Sequence, residues 1–237
     1  MFIPGHRIII STGHSYKNRW TGVLFMAERP IFIAENSKPY YRTVMASFAW
    51  NGGFAKTQSQ KNIRAMHEEY FKFHPEGKIL EISSKSEQDL GVKLSAFNLM
   101  IFVPSIGKRV PLECVFQAGK VFAEGGPYTD LLERSPKDAK RDERLKTSGT
   151  IIGFVFEGVT YPSEPKTAFY DWMYYKALQS NPALSEALLG YEAFTDIAFN
   201  PERSLNCQAQ TAAKLVGIIN AGELHYLDNF ENFLTSY

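Results

Sequence analysis

Hydrophobic and polar positions alternate with a two-residue period along much of the first half of the chain, as in strands that bury one face. Such runs predict strands at 31–35, 41–50, 78–83, 94–103 and 151–157. Asn51-Gly52-Gly53 is a turn sequence, so it ends the second strand. The early part of the domain is therefore predicted to be rich in short strands.

Apolar residues spaced three and four apart predict helices among and after these strands. In the segment 58–73, Ile63, Met66 and Tyr70 follow this spacing. The same reasoning, with proline at several first turns, predicts later helices at 111–122, 135–146, 165–179, 181–189 and 208–220. Because no linker, repeat or low-complexity tract separates these elements, we predict an α+β fold: one helix-rich domain with a small sheet.

The 237 residues are 44% hydrophobic and 22% charged, the balance of an ordinary globular protein. The net charge of +1 provides no global field for nucleic acid, so a polyanion would have to bind a local basic patch. The apolar runs are shorter than the ~18 residues of a membrane helix, which predicts no membrane partner. We expect residues 1–25 to be an N-terminal extension that need not be ordered, ahead of a domain at 26–237.

Cysteine and histidine usage points away from metal chemistry. Cys114 and Cys207 are the only cysteines, which suits a reducing cytoplasm and predicts a cytoplasmic location. The five histidines form no close pair, and neither H-E-x-x-H nor C-x-x-C occurs. P-loop and G-x-S-x-G motifs are absent as well. We predict no metal and no cofactor.

The segment 110–122, VPLECVFQAGKVF, carries Glu113, Gln117 and Lys120 among apolar residues. On one helix, Glu113 and Lys120 would return to within roughly 20° of each other, with Gln117 between them. The triple is a structural ion pair, part of a helix that is less buried than its composition indicates, or a polar stripe that faces a ligand pocket. In a pocket, burial would raise the pKa of the carboxyl and lower that of the amine, which suits a general acid and an amine nucleophile.

Two neighbouring segments admit both a structural and a functional interpretation. The loop 125–130, GGPYTD, is a tight turn or a loop that brings backbone N–H groups to a phosphate. The run 133–146 is a solvated helix face or a surface for the DNA backbone. Its candidate contacts are Lys137, Lys140, Arg141 and Arg144.

Two later segments also contain candidate site residues. Trp172 lies in the aromatic stretch 166–178 and is either part of the core or a stacking wall for a purine. The segment 191–210 is predicted to recognise hydroxyl groups because it concentrates short polar side chains. These are Asp196, Asn200, Ser204, Asn206 and Gln208.

Together, in this order, these segments resemble the NADAR superfamily, and most closely its members encoded beside guanine-specific DNA ADP-ribosyltransferase toxins of the DarT kind. The resemblance rests on LSAFNL (94–99), PLECVFQAGKVF (111–122), GGPYTD, AKRDERLK, PKTAFYDWMYYKAL and FTDIAFNPERSLNCQAQ (194–210). It extends from about Met26 to the last helix. It implies a NADAR-like fold and an antitoxin that cleaves the N-glycosidic bond between ADP-ribose and guanine in DNA, with ADP-ribose as product and the toxin as a further partner.

The resemblance also assigns roles. The family's glutamate, glutamine and lysine fall on Glu113, Gln117 and Lys120, its tryptophan on Trp172, and its acidic residue on Asp196. Many members have LSN where this chain has LSAF, so a contact usually made by that asparagine is expected to shift from Ala96 to Asn98.

The mechanism expected on this basis uses Glu113 as general acid and base and Lys120 as an amine nucleophile, with Asp196 orienting one of the reacting groups. Asn206, Gly125 and Gly126 would hold the diphosphate. A ring would stack on Trp172 or Tyr128. Two alternatives remain open: a non-catalytic antitoxin that binds ADP-ribose or the toxin, and a small-molecule N-glycosidase of riboflavin-type metabolism.

Overall fold

The computed structural model describes residues 6–8, 25–202 and 204–237. Its strands are β1 His6–Ile8, β2 Phe25–Ala34, β3 Tyr41–Ala49, β4 Ile79–Glu81, β5 Met100–Val103, β6 Lys108–Pro111, β7 Lys120–Phe122, β8 Ile151–Phe156, β9 Val159–Pro162 and β10 Ala193–Thr195. Its α-helices are α1 Lys56–Phe71, α2 Asp89–Lys93, α3 Leu112–Ala118, α4 Pro136–Arg141, α5 Arg144–Thr147, α6 Ala168–Gln179, α7 Pro182–Leu188, α8 Gln208–Asn220 and α9 Phe230–Leu234. Short 3-10 helices lie at Pro104–Ile106, Thr129–Glu133 and Leu224–Leu227.

The largest sheet places the ends of two distant strands side by side. β2 pairs antiparallel with β3 on one edge and with β1 and β10 on the other. β10 pairs with β4 in parallel, with Thr195 opposite Glu81. Because the two strands run in the same direction, the chain leaves both at the same edge of the sheet, with Ser83 and Asp196 just beyond their ends.

The sheet separates two hydrophobic clusters, and β2 contributes to both because successive side chains point to opposite faces. Ile31 and Ile33 pack in a cluster with α1. Phe32 lies in the larger cluster on the other face, with residues of α3, α6 and α8. The fold is thus an α+β single domain, as predicted from the sequence.

The elements predicted at 94–103 and 111–122 are both shorter than expected. The strand predicted at 94–103 covers only Met100–Val103, and 94–99 form turns after α2. The helix predicted at 111–122 ends at Ala118, so the prediction of Lys120 on that helix is wrong. Lys120 begins β7, which pairs with β8. Gly119 allows the chain between α3 and β7 to pass close to β8, because a Cβ at this position would lie 2.8 Å from the Val155 carbonyl oxygen.

The helix predicted at 135–146 is two short helices. Ser135 caps the first by accepting a hydrogen bond from the Asp138 N–H, as its sequence indicates. The break comes at Asp142, whose carboxylate accepts from the backbone N–H of Arg144 at 3.0 Å. A side chain that binds the backbone in this way competes with continuation of the helix.

The proposed boundary at residue 26 falls one residue inside β2. Of the predicted extension 1–25, only His6–Ile8 and Phe25 lie within the described residues. Throughout the described part of the chain, every helix is too short or too polar to cross a membrane.

Candidate active site

A cavity of about 380 Å³ opens where β4 and β10 end. Its lining includes residues of the segment 95–97, of helix α3, of the stretches 196–199 and 204–206, and of the first turn of α8. Phe116 and Tyr170 are among the lining residues and stack edge to face at 5.1 Å between ring centroids. The cavity therefore combines an aromatic wall with polar groups from both parallel strand ends.

Glu113, Gln117 and Lys120 form one hydrogen-bonded chain beside this cavity. The Gln117 amide Nε2 donates to Glu113 Oε1 at 2.9 Å, and Lys120 Nζ donates to Gln117 Oε1 at 2.7 Å. Glu113 and Gln117 lie one helical turn apart on α3 and both line the cavity. Lys120 lies behind Gln117, outside the lining, with its amine 4.6 Å from the centroid of the Phe116 ring.

The carboxylate is buried and the lysine is partly buried. Glu113 is only 5% exposed. Burial lowers the pKa of Lys120 to about 8, although the nearby Glu113 carboxylate acts in the opposite direction. Desolvation penalises the ammonium form, so the neutral form is more populated near neutral pH than it is for an exposed lysine. A neutral amine is the form that can attack a carbon atom.

Asp196 also lines the cavity and is held by Gln208. The Gln208 amide Nε2 donates to Asp196 Oδ2 at 3.0 Å and to the Ile82 carbonyl at 2.6 Å. Its Oε1 accepts from the Ala96 N–H at 2.8 Å. The Gln208 side chain, at the start of α8, thus forms hydrogen bonds with the residue that follows β4, with the 95–97 segment and with Asp196.

Burial and the carboxylate of Glu81 raise the pKa of Asp196 to about 7. Glu81 is itself fully buried, where it accepts hydrogen bonds from the Thr195 hydroxyl at 2.6 Å and the Ile197 N–H at 2.9 Å. Burial raises the pKa of Glu81 as well. Ionising both of these neighbouring carboxyl groups is unfavourable. Asp196 and Glu81 together therefore retain one proton more readily than isolated carboxyl groups do.

Asn206 also lines the cavity, and its buried Oδ1 atom has no hydrogen-bond partner among the residues that the structure describes. A buried unsatisfied acceptor costs about 1–3 kcal/mol, and a bound donor group would remove that cost. The side chain is therefore available to a hydroxyl or N–H of a ligand.

The predicted basic face divides into three environments. Lys140 lines the cavity, with Nζ 3.7 Å from Glu113 Oε1 and 5.4 Å from the centroid of the Phe97 ring. Arg144 is neutralised by Asp130 at 2.7 Å and Asp142 at 2.8 Å, and it stacks on Tyr128. Lys137 and Arg141 are exposed.

Several predicted site residues lie outside the cavity lining. Trp172 is buried among Tyr175, Phe230 and Phe233. The exposed Asn98 donates to the Val92 carbonyl and the Ser95 hydroxyl. Their ligand roles, implied by the resemblance, stay predictions.

The GGPYTD loop packs against β7. Gly126 has a φ of 81°, and a Cβ there would lie 2.4 Å from the Lys120 carbonyl oxygen. The Gly125 carbonyl accepts from the Phe122 N–H at 2.8 Å, and the Tyr128 hydroxyl bonds to Ser148. These contacts account for the glycines as turn residues, so the predicted phosphate contacts of this loop stay predictions.

The cavity also contains residues that sequence reasoning did not select. They are Ser83, Ser84, Ser95, Phe97, Phe116 and Tyr170. Isolated serines carry no spacing signal, and the aromatic residues follow core-like patterns. The one available clue was the polar ending of the strand at 78–83, which becomes informative only once β10 is known to lie beside it.

Among the described residues, no group of three or more His, Cys, Asp or Glu side chains could hold a metal ion. The donor set of the cavity is thus one of carboxyl, amide and hydroxyl groups with an adjacent amine. Such a set suits proton transfer and nucleophilic attack on an organic substrate.

A protein-family model described as the DarT1-associated NADAR antitoxin matches residues 27–237. The matched range includes every described element from β3 onward and all the residues of the cavity. Comparison with curated proteins gives no match.

Proposed function

The chain belongs to the family of DarT1-associated NADAR antitoxins, and from that premise we propose that it is a glycohydrolase that removes ADP-ribose from guanine bases of DNA. A DarT toxin is then its counterpart, and hydrolysis would reverse the toxin's modification. The observation that carries the proposal is the buried Glu113 carboxylate at the cavity, linked through Gln117 to the amine of Lys120.

Glu113 is proposed as the general acid and base. Cleavage of the bond between the ribose C1 and the exocyclic nitrogen of guanine transfers the bonding electron pair to nitrogen, which must gain a proton. Glu113 faces the cavity from α3, and its buried position favours direct transfer to a bound group over exchange with water. Positioned acid–base groups of this kind contribute roughly 10²–10⁴ in rate.

Lys120 is proposed as the nucleophile. Its neutral amine would add to C1 of the ring-opened sugar and expel the guanine amine, which leaves a Schiff base between Lys120 and ADP-ribose. Water would then add to the C=N bond, release the ADP-ribose aldehyde and regenerate the amine. Because Lys120 lies behind Gln117, this step requires its hydrogen bond to Gln117 to break.

The other cavity residues are proposed to bind and orient the substrate. Asn206 supplies an unsatisfied acceptor for a ribose hydroxyl, and its amide N–H groups can donate to the diphosphate. Asp196, held by Gln208, orients a ribose hydroxyl. Lys137, Lys140 and Arg141 would contact DNA phosphates, which gives affinity that depends on salt and is insensitive to sequence.

The deciding experiment incubates the protein with DNA carrying ADP-ribosylated guanine and measures released ADP-ribose by mass spectrometry. Release by wild type and its loss in Glu113→Gln would support the proposal. If the protein binds the toxin or modified DNA without releasing ADP-ribose, it is a non-catalytic antitoxin. If it hydrolyses free N-glycosides and leaves modified DNA intact, it acts in small-molecule metabolism.

A further inference from the structure

An exposed leucine lines the cavity between two polar residues. Leu205 is 61% exposed and is flanked by Ser204 and Asn206, which also line the cavity. Single exposed leucines are common and need no explanation on their own. This one is notable for its place, between β10 and α8 and in the lining of the cavity.

The depth of Glu113 constrains how a base can reach it. If Glu113 protonates the exocyclic nitrogen of guanine, that nitrogen must enter the cavity, because the carboxylate is only 5% exposed. In duplex DNA the exocyclic amino group of guanine lies at the base-pairing edge, in the minor groove. Enzymes that act on such buried groups rotate the nucleotide out of the base stack.

The charge around the opening fits the phosphate backbone on either side of an extruded nucleotide. Lys140 lines the cavity, and Lys137 precedes it by one turn of α4 with its side chain exposed. Arg141 is exposed on the same short helix. The cavity lining therefore carries an exposed leucine together with Lys140, and Lys137 and Arg141 lie on the same short helix as Lys140, where they suit phosphates.

We propose that Leu205 is a wedge that enters the gap left in the base stack when the modified guanosine rotates into the cavity, and that duplex DNA is a substrate. This inference rests on the proposed glycohydrolase function. Apolar side chains that enter base steps in this way offset part of the energy of unstacking. Single-stranded DNA has no stacked partner to restore, so the wedge contributes little to its turnover.

The test compares ADP-ribose release from a duplex and from a single strand that carry the same modified guanine. Leu205→Ala should lower kcat/KM on the duplex about tenfold or more, with a change of less than about threefold on the single strand. Leu205→Met, which restores apolar volume, should recover most of the duplex rate. Leu224→Ala, at an exposed leucine outside the cavity lining, is the matched control and should leave both rates unchanged.

A second readout follows the extrusion itself. With 2-aminopurine next to the modified guanine, binding by Glu113→Gln should raise fluorescence, and the added Leu205→Ala change should reduce that rise. Equal losses on both substrates, or an unchanged duplex rate, would overturn the wedge. Weaker toxin binding together with an unchanged duplex rate would overturn it and assign Leu205 to a protein contact. If wild type releases ADP-ribose from neither substrate, the glycohydrolase proposal itself fails.

Discussion

The amine of Lys120 lies 2.7 Å from the side-chain oxygen of Gln117, although the two residues belong to different elements. Gln117 is on helix α3, and Lys120 begins strand β7. The same glutamine donates to Glu113, so it bridges an amine and a carboxylate that do not share a helix. This bridge pairs the buried carboxylate with the partly buried amine, and removing either charge from water without such a partner would be costly.

Glu113→Gln should lower ADP-ribose release by roughly 10²–10⁴ and leave ADP-ribose affinity little changed. The new amide can still accept the hydrogen bond from Gln117, so packing is preserved while the transferable proton is lost. Single-turnover kinetics and titration calorimetry measure the two quantities. Glu143→Gln, at an exposed glutamate, is the control. A fully active Glu113→Gln would remove Glu113 from the mechanism.

Borohydride added during turnover should attach ADP-ribose covalently to wild type and not to Lys120→Ala. Reduction converts the Schiff base to a stable amine, which peptide mass spectrometry can locate on Lys120. Lys214→Met is a matched control, because burial also lowers the pKa of Lys214 to about 8 and this lysine lies outside the cavity lining. Equal labelling of Lys120→Ala and wild type would place the nucleophile elsewhere.

Asp196→Asn should change how stability depends on pH. The pKa of Asp196 is raised from 3.8 to about 7, so the folded state binds this proton more tightly than the unfolded state. Its contribution to stability is complete below about pH 4 and is lost as pH rises through about 7. The variant should therefore gain stability relative to wild type as pH rises over this window.

Denaturant unfolding at several pH values measures this difference. Asp89→Asn, at an exposed carboxylate paired with Lys93, is the control and should follow wild type. A stability difference between Asp196→Asn and wild type that is the same at pH 4.5 and 7.5 would show that the proton is not held at Asp196.

Salt titration of DNA binding should show which basic residues of 137–144 contact DNA phosphates. Lys137 and Arg141 are exposed, so replacing both with alanine should reduce the slope of log K against log salt by about 2. Arg144→Ala should change the slope less, because Asp130 and Asp142 already neutralise its guanidinium. Fluorescence anisotropy with duplex DNA measures the slopes, with Lys61→Ala on α1 as control. Equal slopes for wild type and the double variant would argue against phosphate contacts here.

Trp172→Ala should destabilise the fold by about 3–5 kcal/mol, since it removes a large buried side chain. Trp172→Phe should keep aromatic contact with Phe230 and Phe233 and retain most activity. Thermal unfolding and kcat on modified DNA measure the two effects. If Trp172→Phe loses activity at unchanged stability, the ring takes part in the reaction, as the resemblance implies.

The local pattern of apolar spacing and capping residues was sufficient to predict many of the helices and strands. The spacing of Ile63, Met66 and Tyr70 predicted α1, and all three residues are buried in the structure. The Ser135-Pro136 pair correctly predicted the start of α4. Such signals are readable because they depend on contacts between residues close together in the chain.

What the sequence by itself determined was the α+β domain, the family, and the presence of a carboxylate, an amide and an amine in one short segment. Only the tertiary structure decided where those groups lie. Lys120 leaves the helix because β7 finds its hydrogen-bond partners in β8, about thirty residues away. The cavity exists because β4 and β10, more than a hundred residues apart, pair in parallel and bring Asp196 beside Ser83. Long-range backbone pairing has no local periodicity, so no window of the sequence can reveal it.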